Sequence, residues 1–339
     1  MNSVSIRVNG ADQAGEARRA AAAVAKAIGF DEAEAGSAAL VATECANNLW
    51  RHGGGGEVLL TPIGGDSDPG MEILALDKGP GIPNPERSFQ DGYSTAGSAG
   101  LGLGAVRRLA SEVDLYTVPD RGTALLARLR KRRRPGTHKG DGDTGLEVGG
   151  VSVALRGEEV CGDDWAVREA GGRSALLVVD GLGHGLPAAQ SAAAATEAFE
   201  ETRAEEPVEI LAAAHDALRP TRGAAVAAAV LDSRRREVRY AGIGNISGII
   251  CTSARTTHMV SQPGIVGHNT RRVREFTYPW PVDALVLLYS DGIATHWSLD
   301  AYPGLAGRDP SIIAGIIYRD WNRGRDDATV VVVRERPEA

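Results

Sequence analysis

Four aspartates in the second half of the chain are placed where they could bind divalent cations. Apolar runs, which predict buried strands, mostly lead up to the positions Asp163, Asp180, Asp291 and Asp326. Carboxylates that meet at strand ends can hold two hard cations, and a water between those cations can attack phosphorus. Gly181 follows one of these aspartates, and its bare backbone could add a carbonyl ligand. The pattern predicts a metal-dependent hydrolytic site.

The register of this site stays open at two places. Asp164 adjoins Asp163, and Asp327 adjoins Asp326, so the ligand could be either member of each pair. A single strand-terminal Asp-Gly is usually only a turn, but several of them in one region favour a shared site. The sequence has no Cys- or Ser-based nucleophile motif here, which fits attack by a metal-bound hydroxide.

A second group of polar residues lies in the first half of the chain. Glu44 and Asn48 are four residues apart on a predicted helix and therefore share a face, which His52 extends. Asn offers a neutral oxygen to Mg²⁺, and Glu can act as a base or orient water. Taken alone, such a pair is most often a solvated helix face.

Glycine-rich turns follow this helix and could hold a nucleotide. Asp77 ends a predicted strand and precedes Gly79 and Gly81, so its carboxylate could accept a hydrogen bond from an adenine amino group. Alternating glycines precede the next helix at Gly100, Gly102 and Gly104. Free backbone N–H groups at a helix start can bind phosphate. No strand leads directly into these glycines, so they are not the dinucleotide-binding fingerprint.

The elements that position these residues differ between the two halves. Before residue 131, the pattern predicts helices at 12–28, 32–52 and 101–111, with Asp31 as a cap, and strands at 58–63, 71–77, 113–118 and 123–129. This order predicts a sheet with helices on one face. The second half is richer in strands, with runs at 174–180, 225–232, 237–243, 246–251, 285–291 and 328–334 and helices at 186–203, 208–219 and 309–321. It predicts sheets sandwiched between helices.

Composition bounds the function further. A length of 339 residues suits two domains, and residues 131–146, which are basic and rich in glycine, predict a flexible linker between them. The net charge of −7 makes a nucleic-acid partner a poor expectation. Three scattered cysteines predict neither disulfides nor a zinc site, and no apolar run is long enough to span a membrane. We therefore expect a cytoplasmic protein without a membrane partner.

The order Glu-x-x-x-Asn, Asp-x-Gly-x-Gly, Gly-x-Gly-x-Gly and Gly-Thr resembles the GHKL ATPase superfamily. Within it, residues 91–95 and 100–109 look most like the anti-sigma serine kinases of the RsbT type. The resemblance covers about residues 5–130 and implies a Bergerat-type domain over 1–130, with a mixed sheet and helices on one face. It implies ATP and Mg²⁺ as cofactors and a mobile lid at 84–99. The residues that it implies as functional are Glu44 as base, Asn48 on Mg²⁺, Asp77 on adenine, Gly79 and Gly81 at the base, Gly100, Gly102 and Gly104 on the phosphates, and Thr123 in the Gly-Thr motif.

The later motifs Val-Val-Asp-Gly-Leu-Gly-His-Gly and Ser-Asp-Gly resemble the PPM metal-dependent serine/threonine phosphatases, in their SpoIIE/RsbX branch. The resemblance implies an αββα sandwich over 147–336 with two Mn²⁺ or Mg²⁺ ions. It implies Asp163, Asp180, Asp291 and Asp326 as metal carboxylates and Gly181 as a backbone ligand. Asn245 stands at another recurrent motif of the family, where we expect a structural turn. His184 either lines the pocket or has a packing or turn role.

Together the two resemblances imply a bifunctional regulator of a bacterial partner-switching pathway that controls a stress response or a sigma factor. The first domain would phosphorylate a serine or threonine of a STAS-domain or stressosome-type partner, and the second would remove such a phosphate. The first domain could also bind a sigma factor or another output protein. Two alternatives are a phosphatase gated by a non-catalytic ATP sensor and a non-enzymatic anti-sigma binding protein.

Overall fold

The chain forms two compact units. A computed structural model describes residues 1–64, 68–89, 102–131, 145–170, 172–268 and 272–336. The first unit contains the described parts of Ser3–Thr137 together with Gly307–Arg319, and the second contains the described parts of Met1–Asn2, His138–Ala306 and Asp320–Ala339. Most of the predicted linker, residues 132–144, lies outside the described residues.

The first unit is built on a five-stranded sheet. Its strands are β1 (Val4–Val8), β2 (Gly56–Ile63), β3 (Gly70–Leu76), β4 (Glu112–Val118) and β5 (Gly122–Arg130). Its helices within this part of the chain are α1 (Gln13–Ala27), α2 (Glu32–His52), α3 (Pro85–Ser88) and α4 (Gly102–Leu109). Helix α2 begins at Glu32 with Asp31 as its cap, as predicted. The Asp31 carboxylate accepts from the Glu34 N–H, and the Glu34 side chain accepts from the Asp31 N–H.

The prediction of a mixed sheet was wrong. The strand order is β1-β2-β3-β5-β4, and every neighbouring pair is antiparallel. Strands β3 and β4 run in the same direction, as the connection through α4 requires, but β5 is inserted between them and pairs with both. The connection therefore creates no parallel ladder.

Helices α1 and α2 pack on one face of this sheet. The apolar stripe Val41, Cys45 and Leu49 of α2 is buried there, next to fully buried alanines of α1. Because the small alanine side chains let the two helices approach closely, α2 can present its polar row at the edge of the core.

Two sheets form the second unit. The first contains β7 (Asp163–Ala170), β8 (Arg173–Gly181), β9 (Ala224–Asp232), β10 (Glu237–Ile243), β13 (Ser261–Gln262) and β14 (Phe276–Pro279). The second contains β6 (Leu146–Val153), β11 (Ser247–Cys251), β12 (Thr256–Met259), β15 (Leu285–Tyr289) and β16 (Ala328–Glu335). One core cluster takes residues from both of these sheets. Another joins the sheet that contains β8 and β9 to helices α5 (Leu186–Glu201) and α6 (Pro207–Leu218).

Helix α7 (Pro310–Trp321) forms where the sequence predicted a helix at 309–321. Its residues 310–319 belong to the first compact unit, although the second half of the chain supplies them. Its residues from Pro310 to Tyr318 are all buried. Within residues 1–130, helices α1 and α2 share one core with the sheet, as predicted, and α7 adds a helix to this unit from the second half of the chain.

Two expectations from composition can be compared with the fold. Cys45, Cys161 and Cys251 are buried free thiols, in line with the prediction of no disulfides. No helix within the described ranges is both long and apolar enough to cross a membrane.

Candidate functional site

Asp163 and Asp180 are brought together by the antiparallel pair β7–β8, in which they stand directly opposite each other. Asp163 is only 2% exposed, and its Oδ2 accepts a hydrogen bond of 2.6 Å from the Ser290 hydroxyl. Burial, together with the charge of Asp180, raises the pKa of Asp163 well above its usual range. These strands therefore place two carboxylates where they repel each other.

Further carboxylates surround Asp180. Burial and the negative charges of Asp291, Asp326 and Asp327 raise the pKa of Asp180 to about 7. Asp291 is held by the Asn245 side chain, whose Nδ2 donates to Oδ2 over 2.6 Å. Asn245 was predicted to be a structural turn; it follows β10 and in addition holds one of the candidate ligands.

The contacts of Asp164 and Asp327 bear on the choice between Asp163 and Asp164 and between Asp326 and Asp327 as ligands. Asp164 points away from Asp163 because successive strand residues alternate between faces, and its Oδ2 accepts from Thr196 of α5 over 3.1 Å. Asp327 is 2% exposed and accepts from the backbone N–H groups of Leu155 (2.7 Å) and Gly162 (2.9 Å). Asp164 therefore faces away from Asp163, and Asp327 is held by two backbone N–H groups, while the register Asp163 and Asp326 stays a prediction.

The carboxylate oxygens of this site are ligands that suit hard divalent cations, although the side chains are not arranged as a formed metal site. Among the described residues, no three His, Cys, Asp or Glu side chains form a group that could hold a metal ion. Asp163, Asp291 and Asp327 instead accept hydrogen bonds from protein groups. A divalent cation would relieve the repulsion between these clustered carboxylates, which raises their pKa values. Oxygen is also the ligand that Mg²⁺ and Mn²⁺ prefer.

Gly181 and His184 complete this region. A side chain on Gly181 would overlap the carbonyl oxygen of Ala188, so only glycine fits this turn. The exposed His184 pairs through Nδ1 with Glu158 over 2.7 Å, and its charge lowers the pKa values of Asp326 and Asp327, against the larger effect of their burial. Sequence reasoning missed Ser290, which the Ser-Asp-Gly motif could have indicated, and Glu158, which stands in no recognisable motif.

In the first unit, Glu44 and Asn48 of α2 face the start of α4. A Cβ on Gly102 would lie 3.3 Å from Glu44 Oε2 and 3.5 Å from Asn48 Oδ1. Nδ2 of Asn48 is buried without a hydrogen-bond partner among the described atoms. A buried amide of this kind needs an acceptor, which a nucleotide phosphate could provide while the amide oxygen faces a cation.

Asp77 follows β3 and is fixed by the backbone around it. Its Oδ1 accepts from the N–H groups of Gly79 (2.8 Å) and Thr123 (3.1 Å), and neither bond uses Oδ2. Burial raises the pKa of Asp77, and these two bonds and the charge of Arg319 oppose that rise. Both of these bonds, made by described residues, use Oδ1, so Oδ2 could accept from a further donor such as an amino group.

The glycines beside Asp77 are required by close contacts. A Cβ on Gly79 would lie 2.7 Å from the Gly53 carbonyl oxygen, and Gly81 has a φ of +77°. The Thr123 hydroxyl contacts that of Thr117 at 3.2 Å. Gly104 is buried within α4. Gly100, the segment 91–95 and most of the predicted lid at 84–99 lie outside the described residues.

Comparisons with known proteins agree with this division of the chain. Residues 9–129 match the family described as "Histidine kinase-like ATPase domain", and residues 170–336 match the family "Stage II sporulation protein E (SpoIIE)". The serine/threonine-protein kinase RsbT of Bacillus subtilis is 34% identical over 111 residues, which are 33% of this chain and 84% of RsbT.

Two further relatives are similar in part. The phosphoserine phosphatase RsbX of Bacillus subtilis is 22% identical over 138 residues, which are 40% of this chain and 69% of RsbX. A structure described as "The bacterial stressosome: a modular system that has been adapted to control secondary messenger signaling" superposes with a TM-score of 0.53 at 32% identity. It covers 56% of this chain and 99% of that one. The chain therefore joins a histidine kinase-like ATPase domain of the RsbT family to a domain that matches the SpoIIE family and is similar to RsbX.

Proposed function

We propose that this protein both adds and removes phosphate on a serine or threonine of a STAS-domain partner in a partner-switching pathway. RsbT and RsbX homology in one chain fits partner-switching regulation. The observation that carries the phosphatase half is the cluster of carboxylates around Asp180, because burial and the charges of these neighbours raise the pKa of Asp180 to about 7. Carboxylates that repel one another destabilise the fold, and such clusters usually bind divalent cations, which offset this cost.

The phosphatase residues have distinct roles in this proposal. Asp163, Asp180, Asp291 and Asp326, with the Gly181 carbonyl, would hold two Mn²⁺ or Mg²⁺ ions. When bound, such ions lower the pKa of water and neutralise charge on the phosphoryl group. Ser290 and Asn245 orient the carboxylates that they contact.

Two more residues lie around these carboxylates. Asp327 fixes the backbone at Leu155 and Gly162. The exposed His184, whose Nδ1 pairs with Glu158, would meet the anionic substrate near Asp326.

The kinase half depends on α2 and the glycine turns. Asn48 would bind Mg²⁺ through its amide oxygen, and Glu44 would take the proton from the attacking hydroxyl. Oδ2 of Asp77 would accept from the adenine amino group, with Gly79 and Gly81 allowing the ring to approach. The backbone from Gly100 to Gly104 and the Gly-Thr turn at Thr123 would complete the nucleotide site. The orphaned Asn48 Nδ2 supports this assignment.

The partner follows from the same homology. A STAS-domain protein of a stressosome or an anti-sigma antagonist is the proposed substrate, and a sigma factor or other output protein is the proposed second partner. Because two active halves acting on one phosphosite would consume ATP without result, we propose that they are not active simultaneously or that they act on different sites.

The test uses the full-length protein with a candidate STAS-domain protein in both phosphorylation states. We expect Mn²⁺-dependent phosphate release from the phosphorylated form and transfer from [γ-³²P]ATP to the other form. ATP binding without transfer to any STAS protein would favour the alternative in which the first domain only senses nucleotide. Absence of both phosphate release and transfer would favour a binding protein without enzymatic activity.

A further inference from the structure

In the first unit, the face of the sheet opposite α1 and α2 is apolar and buried. Leu59, Leu74, Leu76 and Leu126 point to this face, because their sequence neighbours belong to the core beneath α1 and α2. Helix α7 lies directly against it: a Cβ on Gly315 would come within 2.6 Å of Leu74 Cδ2 and 3.2 Å of Leu76 Cδ2. The closest approach of the helix therefore depends on a glycine.

Buried charges fix the beginning of α7. Arg128 of β5 donates two hydrogen bonds to the Asp309 carboxylate, of 2.6 and 2.7 Å, and a third of 3.0 Å to Glu72 of β3. Ser311 donates to the same Glu72 carboxylate over 2.9 Å. Because bidentate Arg–carboxylate pairs are directional, this network sets the position and the rotation of the helix on the sheet.

The other end of α7 reaches the nucleotide site. The Tyr318 hydroxyl contacts both carboxylate oxygens of Glu57 at 3.2 Å. Arg319 donates from Nη1 to the backbone carbonyl of Asp77 over 2.7 Å. Asp77 is the residue proposed to recognise adenine. Arg319 therefore holds the backbone that positions the Asp77 carboxylate.

The residues after Arg319 are bonded to the turn that follows Asp291. The Trp321 carbonyl accepts from the Ala294 N–H over 2.9 Å, and the Arg323 N–H donates to the Gly292 carbonyl over 2.8 Å. Gly292 is the next residue after Asp291, and Asp326 lies three residues beyond Arg323. A shift of α7 along its axis would therefore move the backbone at two of the proposed metal ligands.

We infer that Arg319 is a positioning residue for nucleotide binding, and that α7 couples nucleotide binding at Asp77 to phosphatase activity at Asp291 and Asp326. This inference rests on the proposed function, since both sites must bind their ligands. A coupling of this kind is reciprocal: if nucleotide changes the binding of metal at the carboxylates, metal changes the binding of nucleotide by the same factor. The coupling gives the chain a means to prevent its two activities from opposing each other.

The experiment measures two properties of the full-length protein at a constant, buffered concentration of free Mn²⁺. One is the dissociation constant of the fluorescent nucleotide mant-ADP, and the other is the rate of p-nitrophenyl phosphate hydrolysis with and without ADP. The variants are Arg319→Ala, Arg319→Lys, which keeps one donor, and Arg219→Ala. Arg219 is an exposed arginine that pairs only with the exposed Asp216 among the described residues. Circular dichroism melting verifies that each variant is folded.

We expect ADP to change the wild-type hydrolysis rate about fivefold or more. Arg319→Ala should weaken mant-ADP binding about tenfold, the loss expected for one charged hydrogen bond, and should abolish the effect of ADP. Arg319→Lys should retain part of both properties, and Arg219→Ala should match the wild type.

Each contrary result has a separate meaning. Wild-type protein that binds mant-ADP and hydrolyses the phosphate ester, but whose rate ADP does not change, would overturn the coupling without any variant. Unchanged mant-ADP affinity in folded Arg319→Ala would overturn the positioning role. Wild-type protein that binds no mant-ADP, or hydrolyses no ester, would instead refute the proposed function on which the inference rests.

Discussion

Asp163 and Asp180 face each other across the β7–β8 pair, so that two carboxylates share one end of a strand pair in the second unit. Asp164, one residue further along β7, points to the other face and bonds to Thr196. One strand thus separates a candidate metal ligand from a structural carboxylate. This alternation provides matched variants for testing the site.

Replacing Asp180 should remove the phosphatase activity alone. Asp180→Asn keeps the shape of the side chain but removes the charge that two cations would share, so Mn²⁺-dependent hydrolysis should fall by about two orders of magnitude or more. Binding of mant-ADP should change far less, because the nucleotide site retains all its residues. Hydrolysis of p-nitrophenyl phosphate and nucleotide titration measure the two properties. The control Asp164→Asn should retain most activity, and equal losses in both variants would contradict the assigned register.

The carboxylate cluster should make the metal-free protein sensitive to pH. Asp180 has a pKa of about 7 in the folded chain, against an ordinary value of 3.8, so the folded state binds its proton more tightly than the unfolded state. The associated stability is fully present below about pH 4 and is lost as the pH rises to about 7. In EDTA, wild type should therefore lose more thermal stability across this range than Asp180→Asn does. Addition of Mn²⁺ at pH 7 should restore it, and parallel pH profiles for the two proteins would contradict the cluster.

Asn48 should be essential for nucleotide binding, whereas its neighbour should not. Asn48→Ala removes the amide whose Nδ2 is buried without a partner, and should weaken Mg²⁺-nucleotide binding by about tenfold or more. Asn47→Ala is the matched control, since it removes the same group from the adjacent position of α2. Isothermal titration with a non-hydrolysable ATP analogue measures both variants. Equal affinities of Asn48→Ala and wild type would remove the support for the nucleotide site.

Gly181 should tolerate no side chain. The Cβ of alanine would overlap the Ala188 carbonyl oxygen, and relief of this overlap must shift the turn after Asp180. Gly181→Ala should destabilise the second unit by about 2–3 kcal/mol and reduce hydrolysis. Gly36→Ala is a control on the exposed side of α2, where no atom lies within 4 Å, and it should stabilise by about 0.5–1 kcal/mol. Thermal melts compare them, and a wild-type melting temperature for Gly181→Ala would show that the turn is not tightly packed.

Elements with a strong local pattern could be predicted from the sequence, and those set by distant contacts could not. Helix α2 was predicted at 32–52 because Asp31 is a suitable cap and an apolar stripe follows, and the structure adds Glu34 as the second member of a capping box. Strand β7 was missed because its sequence, Asp-Asp-Trp-Ala-Val-Arg-Glu-Ala, has no regular alternation. The antiparallel sheet was missed because the order of strands depends on the insertion of β5 between β3 and β4.

The candidate sites show the same division. Motif order in the sequence named Asp180 and Asp291, but the roles of Asn245 and Ser290 arise from contacts across 46 and 127 residues of sequence. The packing of α7 on the first sheet has no local signal at all, because Arg128 and Asp309 are 181 residues apart. Local chemistry can be recognised in a sequence, whereas positioning contacts require the fold.

The most direct test of the central claim follows phosphate in both directions on one STAS-domain protein. The full-length protein is incubated with that substrate, Mn²⁺ and [γ-³²P]ATP, and the wild type is compared with Asp180→Asn and Asn48→Ala by phosphosite mapping. We predict that Asp180→Asn accumulates labelled phosphoserine or phosphothreonine and that Asn48→Ala only removes phosphate from pre-phosphorylated substrate. If both variants kept both activities, or if all three proteins labelled the substrate identically, the account of two opposed sites in one chain would be contradicted.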